Sequence, residues 1–128
     1  LMSFENKLSK VKGLGSAKKG IEHWWLQRIT AIALIPILMW FSFNMINILE
    51  GDKAELTIWL KSFFNSGILI VFILVSFYHM KLGLTVVIED YVPSKWSKYF
   101  FLAILTIISY VMPILVIISI MNMTIRIK

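Results

Sequence analysis

Between Gly67 and Tyr91 the chain reads GILIVFILVSFYHMKLGLTVVIEDY, an apolar run with a histidine, His79, near its middle. A hydrocarbon core about 30 Å thick is crossed by about 20 apolar residues in a helix, so this run is long enough to span a bilayer. Two further runs, Ile29 to Leu49 and Tyr99 to Met121, reach the same length. Lipid offers no hydrogen-bond partner to the backbone, so segments of this kind close their hydrogen bonds internally as helices. The fold expected is all-α, with three transmembrane helices at about 29–49, 67–88 and 99–121. They form a single membrane domain over residues 1–128 whose first 28 residues are a basic arm.

Composition agrees with the membrane reading. Of 128 residues 59% are hydrophobic and 16% charged, and the mean hydropathy is +0.81. A soluble domain of this length needs far more charge to cover its surface. Residues 1–28 lack the apolar core of a secretory signal and contain Glu5 and Glu22, which an acid-poor transit peptide avoids, so no cleaved presequence is expected. The absence of cysteine excludes disulfides, thiolate metal sites and iron–sulfur ligation by this chain. A net charge of +6 raises the question of nucleic acid, but the basic residues flank the spans, as orientation signals do, and no nucleic-acid partner is expected.

Their distribution also orients the chain. With the N-terminus on the cytosolic or matrix side, eight Lys and Arg residues lie inside and four outside, with Lys81 alone inside a span. The second helix then runs from outside to inside, and Glu89, Asp90 and Tyr91 reach the inner surface. The GLGSAKKG stretch at 13–20 is expected to interrupt helix before IEHWWLQR leads into the first span, with Trp24 and Trp25 at headgroup level. Pro36 and Pro113 fall inside the first and third spans and are expected to kink them. The segment from Glu50 to Ser66 mixes Ile58, Trp59, Leu60, Phe63 and Phe64 with charges, which predicts a short helix on the outer surface.

An ionisable residue inside a bilayer is costly, roughly 2.5 to 3.5 kcal/mol for a charge at mid-span, and so points to function. Residues on a helix are about 100° apart, which puts His79 on one face with Phe72, Ser76, Gly83, Val86 and Asp90. Ser76 and Gly83 are small and let a planar group or a second helix approach the backbone. Three roles remain open on this pattern: ligation of a cofactor such as haem, a hydrogen bond to a neighbouring helix, and a proton relay. Lys81 points about 200° away from His79 and is not expected to touch the same ligand.

Tyr91 has a phenol able to donate to a carbonyl, with Asp90 beside it to supply protons; the alternative is an ordinary interfacial tyrosine at a solvated helix end. Arg28 enters the first span with Trp24 one turn before it and Thr30, Ala31 and Ala33 after it. It can hold a carboxylate or carbonyl by charge-assisted hydrogen bonds, or serve as a positive anchor. His23 precedes the span and lies too close to water for a haem ligand.

Two blocks carry a family likeness. GLGSAKKGIEHWWLQRITAIAL at 13–34 and HMKLGLTVVIEDYV at 79–92, in the second of three spans, resemble the smaller hydrophobic membrane-anchor subunit of succinate dehydrogenase, respiratory complex II, in its alphaproteobacterial and mitochondrial form. The resemblance implies a non-catalytic subunit of an enzyme complex of the tricarboxylic acid cycle, in the bacterial or mitochondrial inner membrane. Its partners would be a flavoprotein, an iron–sulfur subunit and a larger cytochrome b anchor. Haem b shared with the larger anchor would be the cofactor, and ubiquinone the substrate.

By the same likeness His79 matches the axial ligand of the haem iron. Tyr91, with Asp90 beside it, matches the tyrosine that hydrogen-bonds a quinone carbonyl, and Arg28 matches an arginine near the haem propionates and quinone pocket. Lys81 has no counterpart. Leu26 and Pro93 stand where family members often have histidine, which removes any proton-delivery role for those positions here.

Two rival functions make different predictions. A small multispan transporter tends to place a carboxylate near mid-membrane to bind its cation, yet all seven acidic residues lie outside the three expected spans. A haem-free anchor of a related fumarate reductase keeps the architecture and lacks a b-type absorption band.

Overall fold

The computed structural model describes residues 17–126, and the basic residues Lys7, Lys10, Lys12 and Lys128 lie outside that range. Four helices follow one another: α1 (Ala17–Glu50), α2 (Lys53–Lys61), α3 (Phe63–Tyr91) and α4 (Lys95–Arg126). Three of them are long and apolar enough to cross a membrane, over Gly20–Glu50, Phe63–Tyr91 and Lys95–Ile125. Among the described residues there is no strand. The all-α, three-span expectation therefore holds.

The helices are longer than their apolar stretches. Helical hydrogen bonding does not stop where hydrocarbon gives way to headgroups, so each helix continues into its polar flanks. At the start of α1 this corrects the reading of a break for 17–20, because residues from Ala17 onward are helical and Gly20 lies inside the helix, while 13–16 lie outside the described residues. A glycine costs a helix only about 1 kcal/mol relative to alanine, too little to stop propagation along a long segment. Pro36 and Pro113 also lie within α1 and α4, which continue on both sides of them.

The turns have local causes. Asp52 caps α2, its carboxylate accepting from the backbone N–H of Ala54 at 2.8 Å and Glu55 at 3.1 Å. The α2 expected from sequence is present. Its Leu60 is buried, while Ile58 is 68% exposed. Trp59 ties it to α1: the indole N–H donates to Asn44 Oδ1 at 2.7 Å, and its ring stacks on Trp40 with centroids 5.6 Å apart.

α3 ends before Pro93, which disfavours helical geometry at Val92, and the Val92 N–H closes the last turn on Ile88 O. Lys98, from the first turn of α4, donates to the Glu89 carbonyl oxygen at 2.6 Å, placing a cation at the negative end of the α3 dipole.

The long helices form a row with α3 at its centre, packed against α1 on one side and α4 on the other, while α2 rests on α3 and α4. Phe41 of α1 stacks on Phe72 of α3 at 4.9 Å between centroids. The buried apolar residues are few, Leu60, Leu82, Leu105 and Ile120 among them, and large side chains such as Ile32, Phe43 and Ile107 remain exposed. In water such a surface would drive aggregation; in a bilayer it meets lipid or other membrane chains.

Candidate functional site

His79 lies at mid-helix in α3, half-buried, with its ring turned toward α1. Nδ1 is 2.8 Å from Thr30 Oγ1, and Nε2 is 3.5 Å from the amide nitrogen of Gln27. Thr30 and Gln27 are three residues apart on α1, so one helix face presents both to the imidazole. Of the roles left open by the sequence, the helix-to-helix hydrogen bond is thus made, and it engages only one ring nitrogen closely.

Gly83, one of the small residues of the histidine face, lies against α1. A Cβ at Gly83 would stand 3.2 Å from the Gln27 amide nitrogen, so the missing side chain makes room for Gln27. The second helix foreseen for that face is α1. Gln27 Oε1 is buried and has no hydrogen-bond partner among the described residues. The amide is therefore held mostly by packing.

Two open clefts flank this point. Toward the start of α1 and the end of α3 lies one of about 760 Å³ that contains charged groups, lined by His23, Trp24, Gln27 and Arg28 from one helix and by Gly83 and Glu89, among others, from the other. Arg28 lies within it, its guanidinium 5.3 Å from the Trp24 ring centroid, a cation–π distance. Further along α1 lies an apolar groove of about 680 Å³, where Ala31, Leu34, Ile35, Leu38 and Phe43 surround an edge formed by His79.

Asp90 and Tyr91 are the last two residues of α3 and both are exposed, Tyr91 by 80%, and neither lines these clefts. The sequence-predicted residues are therefore grouped in two places. Arg28 sits in the first cleft, between Gln27 and Thr30 in sequence, while Asp90 and Tyr91 stand apart at the helix end.

Lys81, left without a role by the sequence, points to the other side of α3. Its ammonium donates to the Tyr110 hydroxyl of α4 at 3.2 Å and lies 4.4 Å from that ring's centroid.

Gln27 and Thr30 were not singled out by sequence reasoning. Their three-residue spacing was visible, but nothing in a linear pattern says that this face of the first span meets His79. Among the described residues no group of three or more His, Cys, Asp or Glu converges as a metal cage. A haem held between two chains would not need one, because each chain would supply a single axial nitrogen. The donor set fits such a group: an imidazole nitrogen with only a long contact, on a histidine that lines an apolar groove of about 680 Å³.

These features define a multi-pass membrane protein with one mid-span histidine held at a helix seam. The profile of the succinate dehydrogenase/fumarate reductase transmembrane subunit family matches residues 2–113. The chain is 39% identical over 90 residues to the succinate dehydrogenase hydrophobic membrane anchor subunit of Rickettsia conorii, covering 70% of this chain and 71% of that one. It is 37% identical over 119 residues to the subunit of the same name from Rickettsia bellii, covering 87% and 94%. It is also 35% identical over 85 residues to the succinate dehydrogenase membrane anchor subunit of Reclinomonas americana, covering 63% and 70%. No solved structure matches significantly.

The chain belongs to the succinate dehydrogenase/fumarate reductase transmembrane subunit family, among the hydrophobic membrane anchors of succinate dehydrogenase. It is a multi-pass inner-membrane protein, and an anchor of this kind works with catalytic subunits carried by other chains.

Proposed function

We propose that this chain, itself non-catalytic, helps to bind a b-type haem and ubiquinone, so that electrons from succinate oxidation reduce quinone to quinol at its inner end. The observation that carries the reading is His79: a mid-span imidazole, fixed by α1, lies at the edge of an open apolar groove. A b-type haem would supply a one-electron redox centre there, and His79 Nε2 would hold it from this side. A histidine of the larger anchor subunit would hold it from the other, with the groove covered by that subunit.

The N-terminus lies on the cytosolic or matrix side, which puts Tyr91 near the iron–sulfur subunit that delivers electrons from the flavoprotein. There the Tyr91 phenol donates to one quinone carbonyl. Asp90 beside it conducts protons from the inner aqueous phase, and quinone takes up two electrons and two protons to become quinol. Arg28, free of any carboxylate within its own cleft except Glu89, offers its guanidinium to haem propionates or to the quinone pocket. At 1.5 Å per residue His79 lies about 18 Å from Tyr91 along the helix, so haem and quinone occupy separate levels.

The test is copurification of a tagged chain from solubilised membranes, with an absorption spectrum of the product. The reading expects flavoprotein, iron–sulfur and second anchor subunits together with a b-type band on dithionite reduction. A complex of the same subunits without that band would instead favour the haem-free anchor of a fumarate-reducing relative.

A further inference from the structure

Thr30 has one hydroxyl proton and three close neighbours: Leu26 O at 2.7 Å, Gln27 O at 3.2 Å and His79 Nδ1 at 2.8 Å. Two oxygens 2.7 Å apart repel unless a proton lies between them, and a carbonyl can only accept. The proton therefore lies on the line to Leu26 O. A lone pair of Oγ1 is then turned toward His79, so Nδ1 must carry the ring proton and donate it. A neutral imidazole protonated at Nδ1 keeps its lone pair on Nε2.

Only the Gln27 amide approaches Nε2, at 3.5 Å, the limit of a hydrogen bond. That amide has no other anchor among the described residues, its oxygen being buried and unpartnered. Its neighbour Gly83 presents no side chain to hold it. Nε2, in the longer of the two contacts, is therefore the nitrogen left for a ligand once the Gln27 amide gives way.

We propose that Thr30 is the positioning residue of His79. Its hydroxyl, anchored on the Leu26 carbonyl, holds the imidazole in the Nδ1–H form, aims the Nε2 lone pair at the ligand and strengthens it as an electron donor. The inference rests on the reading of His79 as the haem ligand. Hydrogen bonding at the distal ring nitrogen makes a metal-bound histidine more basic, which favours ferric over ferrous iron. Removing the acceptor then raises the haem midpoint potential.

The experiment compares Thr30→Val, similar in shape but without the hydroxyl, and Thr30→Ser, which restores it, in the purified whole complex. The readouts are the potentiometric midpoint of the haem, the electron paramagnetic resonance g-values of its ferric form, and haem retention against an apo-globin acceptor. Thr30→Val is expected to raise the potential, move the g-values and weaken retention by about 10-fold, with Thr30→Ser close to wild type. Wild-type potential and g-values in Thr30→Val would overturn the proposal.

Should Thr30→Val fail to assemble, the redox-induced infrared difference spectrum of the wild-type complex decides. The histidine ring bands must be those of a hydrogen-bonded Nδ1–H, and bands of a free Nδ1–H would refute the role. Failure of the underlying reading is separately visible, because His79→Ala would then retain an unchanged haem spectrum whatever Thr30 variants do.

Discussion

The ammonium of Lys81 lies 3.2 Å from the hydroxyl of Tyr110 and 4.4 Å from the centre of its ring, joining α3 to α4 on the side of α3 away from His79. A lysine at this depth is expensive to leave in hydrocarbon. Tyr110 relieves that cost in two ways, with a hydroxyl that accepts and an aromatic face that attracts the cation. Tyr110→Phe keeps only the second and Tyr110→Leu neither, so thermal stability of the assembled complex should fall in that order. In a double-mutant cycle with Lys81→Met, the coupling should amount to about 0.5 to 2 kcal/mol. Independent, additive effects would show that the pair does no more than coexist.

At the other end of the molecule, α2 is held to α1 by Trp59. Trp59→Phe preserves an aromatic ring for stacking on Trp40 and removes the N–H that donates to Asn44. The loss should be about 1 kcal/mol, the net value of one hydrogen bond, read as faster amide exchange confined to α2. Asn44→Ala leaves the indole N–H without its acceptor and should cost at least as much. Exchange that speeds up throughout α3 as well would mean that α2 does not open separately.

The three-span architecture was legible because bilayer thickness translates directly into run length. Gly67 to Ile88 and Tyr99 to Met121 each lie inside an observed helix. What the apolar pattern could not mark was where helices end, since Ala17–Gly20 and Lys95–Lys98 are polar enough to look like loop yet continue the hydrogen-bonded spiral. His79 was visible as an anomaly, and its small neighbour Gly83 correctly announced a close approach. The partner was not visible, because Gln27 and Thr30 become neighbours of His79 only through the packing of α1 on α3. Lys81 illustrates the same gap: its direction around the helix was readable, but the tyrosine it meets lies 29 residues away.

Tyr91 stands 80% exposed at the end of α3. In the proposed role its phenol donates one hydrogen bond to quinone. Tyr91→Phe should therefore lower ubiquinone reduction by succinate roughly 5- to 10-fold, the worth of one such bond, with succinate-dependent reduction of a soluble dye unchanged. Equal loss of both activities would point to faulty assembly instead of a quinone contact.

The central claim, that His79 ligates haem, is tested most directly by the reduced-minus-oxidised absorption spectrum of the purified complex carrying His79→Ala. The account predicts that the low-spin b-type band seen in the wild-type complex is abolished or shifted, while succinate oxidation by a soluble dye persists. A band of wild-type position and intensity in His79→Ala would contradict it.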